Sequence, residues 1–184
     1  MIDISKLEVI MSQIFYGYMD IEGNRRNKIA NDFAKNYITR SPEEVRENGY
    51  GICFDQVEVA RQYFESLGVE CKTYFLVYYD NKTNPCHTFL VYKDGEEYVW
   101  YEHAWQDIGE IHYTPNGRYY SLENLLQRVR SMYVGPIKQK GNKEIIPQNY
   151  CLYEYTKPSY GLSVLDFYKH CEAGVNKGNI NIRK

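Results

Sequence analysis

The chain has no apolar run longer than the six residues 74–79, Tyr-Phe-Leu-Val-Tyr-Tyr, whereas a membrane helix needs about 20. A membrane-spanning helix is therefore not expected. The opening Met1-Ile2-Asp3-Ile4-Ser5-Lys6 has neither a basic leader with an apolar core nor a small-residue cleavage signal, so a secretion signal is not expected either. An excess of one charge is also missing. With 22 basic residues against 24 acidic ones, no long-range field draws the chain to nucleic acid or to an anionic membrane. The five cysteines at 53, 71, 86, 151 and 171 are odd in number and include no CxxC pair. That pattern argues against a disulfide framework and fits a reduced, cytoplasmic compartment. With no repeat, linker or low-complexity tract, the 184 residues read as one domain, which by size buries roughly 70% of its unfolded surface.

Tyrosine, by contrast, is abundant, at 20 residues. Such a share suits β-strands and a half-wet core, or else an aromatic wall for a substrate.

Leu7, Ile10, Met11 and Ile14 repeat at helical spacing, as do Ile29, Phe33 and Tyr37, which predicts two leading helices. Ser41-Pro42-Glu43-Glu44 starts a third, stopped by Asn48-Gly49-Tyr50-Gly51. From Cys53 the positions Val57, Ala60, Phe64 and Leu67 continue a helix that Gly68 ends. Residues 71–79 read as a strand, 121–126 as a serine-capped helix start, 150–155 as a strand and 163–170 as a closing helix. The tail 174–179 is expected to fray. The fold class that follows is α+β, helices packed on an antiparallel sheet.

Asp94-Gly95 between residues 87–93 and 96–105 is a strong hairpin signal. Taken as a two-residue loop, it sets Lys93 against Glu96 and therefore His87 against Glu102. Directly opposed residues hold their Cβ atoms about 4.5–5.5 Å apart on one face. The same register puts Phe89, Val91, Tyr98 and Trp100 on that face, as an apolar floor, and sets Cys86 against His103 on the other.

Cys53 opens a helix, where unpaired N–H groups and the dipole favour thiolate over thiol. With His87 as base and Glu102 orienting it, the three make a candidate thiol triad. Gly49 and Gly51 are expected to leave room beside the sulfur for a substrate backbone, and an N–H of the same turn to serve as one oxyanion donor. The second donor falls to Tyr16 or Tyr18. Two other constellations compete: the Cys86–His103 dyad, which lacks a helix terminus, and a zinc site from Cys71, Cys86, His103 and His112, which lacks close ligand pairs. A buried, inert Cys53 is the bland alternative.

A papain-type peptidase fits poorly, since there the histidine follows the cysteine by well over a hundred residues. Gly51-Ile52-Cys53-Phe54-Asp55-Gln56-Val57-Glu58-Val59-Ala60, Leu67-Gly68-Val69, His87-Thr88-Phe89-Leu90-Val91 and Trp100-Tyr101-Glu102 together resemble the core of the transglutaminase-like superfamily, over about a third of the chain. The resemblance implies a compact single-domain member, related to the papain-like architecture, with Cys53 as nucleophile, His87 as base and Glu102 as orienting acid. It implies attack on an amide-type carbonyl through a thioester, with a protein, peptide or glycopeptide as substrate. Hydrolysis leads, acyl transfer to an amine follows, and an inactive peptide- or glycan-binding module is the non-enzymatic alternative. No metal or organic cofactor is called for, because the chemistry lies within the side chains. Three features depart from the family pattern. The acid is Glu where Asp is usual, the His-Ala-Trp string falls at His103 rather than His87, and no accessory domain is expected in these 184 residues. The string makes His103 an alternative base, with Asp107 its nearest acid downstream.

Overall fold

The structure, a computed structural model, describes residues 1–29, 31–104, 117–141 and 144–179. Among these it is a mixed α+β chain with six α-helices and a six-stranded antiparallel sheet. The helices are α1 (Ser5–Met11), α2 (Phe33–Asn36), α3 (Pro42–Asn48), α4 (Cys53–Ser66), α5 (Leu122–Gln139) and α6 (Val164–Glu172). The strands are β1 (Phe15–Tyr16), β2 (Tyr18–Met19), β3 (Arg25–Arg26), β4 (Tyr50–Gly51), β5 (Cys71–Tyr78), β6 (Cys86–Asp94), β7 (Glu97–Tyr101), β8 (Arg118–Tyr119), β9 (Tyr150–Tyr155) and β10 (Val175–Asn179). The main sheet runs β10-β9-β5-β6-β7-β8, while β1 pairs in parallel with β4 and β2 with β3. No helix among the described residues is long and apolar enough to cross a membrane.

Both faces of the sheet are covered, and the side-chain period of two decides which residue meets which layer. Tyr74, Leu76, Phe89, Val91, Trp100 and Leu152 pack under Leu125, Leu126, Val129, Tyr133 and Ile137 of α5. Their neighbours in sequence face the opposite way. Leu90, Tyr92, Val99 and Tyr101 meet Val57, Ala60 and Phe64 of α4, and Phe75, Val77 and Tyr155 meet Phe54 and Phe167. Phe64 stacks on Tyr92 at 4.3 Å and is fully buried, a burial that stabilises by about 2 kcal/mol.

Local chemistry explains the helix ends. Ser41 accepts from the Glu44 N–H at 3.3 Å while Glu44 accepts from the Ser41 N–H at 2.8 Å, a reciprocal cap that starts α3 at Pro42. Gly49 ends it at φ 73°, a conformation that favours glycine.

Four expectations need correction. The second leading helix is a single turn, because Phe33 and Tyr37 pack against Tyr18, at 5.1 and 5.8 Å, while Ile29 is exposed. The tail does not fray over 175–179; it is β10, antiparallel to β9, and Arg130 of α5 donates to the Lys177 carbonyl at 2.7 Å. Lys93 does not face Glu96. Asp94 pairs with Glu97 and Val91 with Trp100, so the two-residue loop is Gly95-Glu96 with Gly95 at φ 65°, a glycine-first hairpin. Asp94 is held in the strand by Arg118 at 2.8 Å and the Ile2 N–H at 3.1 Å, which moves the turn on by one residue and every cross-strand pair by two. Since the face alternates with each residue, a slip of two keeps every side chain on its expected face. Cys86 does not face His103, for the same reason.

Candidate active site

Cys53 is the first residue of α4, delivered by β4 and Ile52. That short approach is held from three directions. Asp55, two residues into the helix, accepts from the Ile52 N–H at 3.1 Å, the Tyr37 hydroxyl at 2.7 Å and the Arg40 N–H at 3.2 Å. Gln56 donates to the Gly51 carbonyl at 2.8 Å. Burial pushes the Asp55 carboxyl up to about 7, against the opposing pull of the Tyr37, Arg40 and Ile52 donors. The glycines pack within this frame. A Cβ on Gly51 would stand 3.1 Å from both Asp55 Cβ and Val45 Cγ1, and one on Gly49 would stand 3.3 Å from the Gln13 carbonyl oxygen, so the chain itself closes on both positions.

His87, the second residue of β6, meets Glu102 just beyond β7: Nε2 lies 2.6 Å from Glu102 Oε2, and both side chains are almost fully buried, at 3% and 4% exposure. In the register observed, Ala104 rather than Glu102 would continue opposite His87. The two are diagonal neighbours on one face, a separation that a glutamate side chain spans. Cys53 lies near enough to the His87 ring to count among the groups that raise it. Burial works against the imidazolium, but the Glu102 charge, the neighbouring Cys53 and the bond to Glu102 outweigh it and raise the ring to about 10. The structure thus brings Cys53, His87 and Glu102 together.

Tyr133 of α5 completes the surround, and nothing in the sequence signals it. Its ring stacks on His87 at 5.6 Å between centroids, 21° from parallel, and its hydroxyl donates to the Cys86 carbonyl at 2.6 Å. A cavity of about 10 Å³ beside Cys53 is walled by Gln56, Val57, Tyr101, Glu102, His103 and Ala104. It has room for about one water. Asp55 and Gln56 could have been suspected from sequence as polar residues in the first turn of the helix that carries Cys53.

Among the described residues the competing sets are not assembled. Cys86 meets the Tyr168 hydroxyl at 2.8 Å, and burial, then the neighbouring Cys53, push its thiol up. His103 lines the cavity wall, but it is His87 that pairs with the acid. Asp107, Trp105 and His112 lie outside the described residues. Among the described residues no three His, Cys, Asp or Glu side chains gather as a metal-binding group.

Searches with this chain against protein-family models, curated proteins and solved structures return no match.

Proposed function

We propose that this chain is a thiol-dependent hydrolase of an amide or peptide carbonyl, built on a transglutaminase-like core. The observation that carries the reading is the buried His87–Glu102 pair, 2.6 Å apart and close to the thiol at a helix start. An isolated buried ion pair contributes little to stability. One aimed at a cysteine has a chemical use: it supplies the imidazolium that stabilises a thiolate and later delivers its proton.

In the reaction, Cys53 Sγ forms a bond to the carbonyl carbon, and the carbonyl electron pair moves onto oxygen. Collapse of that intermediate breaks the C–N bond, and the leaving amine takes the His87 proton. Water then attacks the thioester, returns a proton to His87, and the C–S bond breaks. Glu102 holds the ring's orientation throughout. The cavity beside Cys53, which has room for a single water, supports water as the acceptor. The near-complete burial of Cys53, at 6% exposure, supports the second reading, acyl transfer to an amine. A helix-borne cysteine packed on an antiparallel sheet whose strands carry the histidine and lead to the acid agrees with the transglutaminase-like arrangement. Five free cysteines favour a reducing, cytoplasmic setting.

Treating the protein with 4-nitrophenyl acetate and mapping the acetyl group by mass spectrometry tests the thioester step. Acetylation at Cys53 is expected; none there, with Cys53 unreactive, would leave the non-enzymatic peptide- or glycan-binding module. Incubation of a glutamine-containing protein with a labelled primary amine separates the two acceptors. Incorporation of the label would overturn the hydrolase-only reading.

A further inference from the structure

Resting on the thioester reading, we infer that the Tyr16 hydroxyl is the side-chain donor to the oxyanion formed when Cys53 attacks a carbonyl. Tyr16 lies in β1, whose parallel pairing with β4 sets Tyr16 beside Gly51, two residues ahead of Cys53. That register places it at the N-terminal side of the nucleophile, where the first-turn N–H groups of α4 have no acceptor within the helix. Gly17 makes the placement possible. A Cβ there would come within 2.5 Å of the Arg26 carbonyl oxygen, so the chain can turn from β1 into β2 at this point only without a side chain.

The half-buried Tyr16 side chain packs against the cluster that contains Cys53. Burial, and then the nearby Cys53, Cys86 and Glu102 charges, hold its phenol well above the usual range, so it is a hydroxyl donor at every working pH. Among the described residues its hydroxyl has no hydrogen-bond partner, which leaves the donor free for an incoming oxygen. Tyr18, two residues on, is excluded by its surroundings. It packs in the same cluster as Cys53, but after burial the charges that act on its phenol are those of Asp32, Arg26 and Asp20, not those of Cys53 and Glu102.

Two reagents separate a donor to the oxyanion from a residue that merely shapes the thiol. Acylation by 4-nitrophenyl acetate passes through a tetrahedral oxyanion, whereas alkylation by iodoacetamide displaces iodide at a saturated carbon and forms none. Tyr16→Phe is expected to slow Cys53 acetylation by about 100-fold, with the iodoacetamide rate unchanged from pH 6 to 9. Tyr18→Phe is expected to alter neither reaction. If both reactions slow together in Tyr16→Phe, the hydroxyl acts on the thiol, and the inference is overturned; it is equally overturned if neither slows. A wild-type Cys53 that alkylates but never acetylates would instead overturn the thioester reading, and this assignment with it.

Discussion

Helix α4 carries two buried polar clusters, one near its middle and one at its start. Near the middle, Arg61 meets Glu58 through Nε at 2.8 Å and Nη2 at 3.2 Å and also donates to Thr73. Thr73 donates to the Tyr155 carbonyl at 2.9 Å, and Tyr155 donates to Glu58 at 3.4 Å. The set closes on itself. At the start of the helix, His87 and Glu102 are as deeply buried, but the group beside them is a thiol. Beside that thiol, among the described residues, the Gln56 side-chain carbonyl oxygen is buried with no partner, and the Tyr16 hydroxyl is unused as well. Burial alone therefore does not mark a functional site, since it is common to both clusters. What separates them is whether the polar groups are spent on one another, as in the first, or held ready for something else, as in the second.

Removing one member of each cluster is expected to have opposite consequences. Cys53→Ala is expected to cut acetylation by 4-nitrophenyl acetate by about 10⁴-fold or more while the urea midpoint moves little. Arg61→Leu is expected to do the reverse. It leaves Glu58 buried and unpaired, which costs about 3–5 kcal/mol in urea unfolding, with the folded fraction alkylating at Cys53 as fast as wild type. Glu102→Gln comes next. With the ring no longer held in its orientation and charge state, acetylation is expected to fall about 10³- to 10⁴-fold.

The smallest effect is on stability with pH. Because His87 is raised to about 10 in the folded protein from about 6.5 in an unfolded chain, the folded state holds a proton that the unfolded state has released between those values. The stability it contributes is fully present below about pH 6.5 and is lost as pH rises through about 10. Urea midpoints measured from pH 6 to 10 should fall, and should fall less in His87→Gln.

Much of this site could be read in the residues, and where the reading failed the reason is tertiary. Helix starts are local events, so Ser41-Pro42 and the start at Cys53 could be read directly. The hairpin was legible to within two residues. What moved it was Arg118, 24 positions from Asp94, a partner no local signal names. His87 and Glu102 nonetheless meet, because the alternation of faces survives a two-residue slip. The room expected at Gly51 was a misreading of the same kind, since Val45 and Asp55 fill it from elements whose packing the glycine does not reveal. Tyr133 and β10 depend on how α5 lies across the sheet, and no periodicity encodes that.

Under the proposed function, burial leaves four cysteines inert and Cys53 alone is held reactive by its partners. Burial pushes the thiols of Cys71, Cys86, Cys151 and Cys171 up. Cys53 lies beside the His87–Glu102 pair. The direct measurement is competitive iodoacetamide labelling of the folded protein at pH 6, mapped to each cysteine by mass spectrometry. Cys53 is expected to react faster than every other cysteine. Labelling of Cys53 no faster than that of Cys71 or Cys171 would contradict the account.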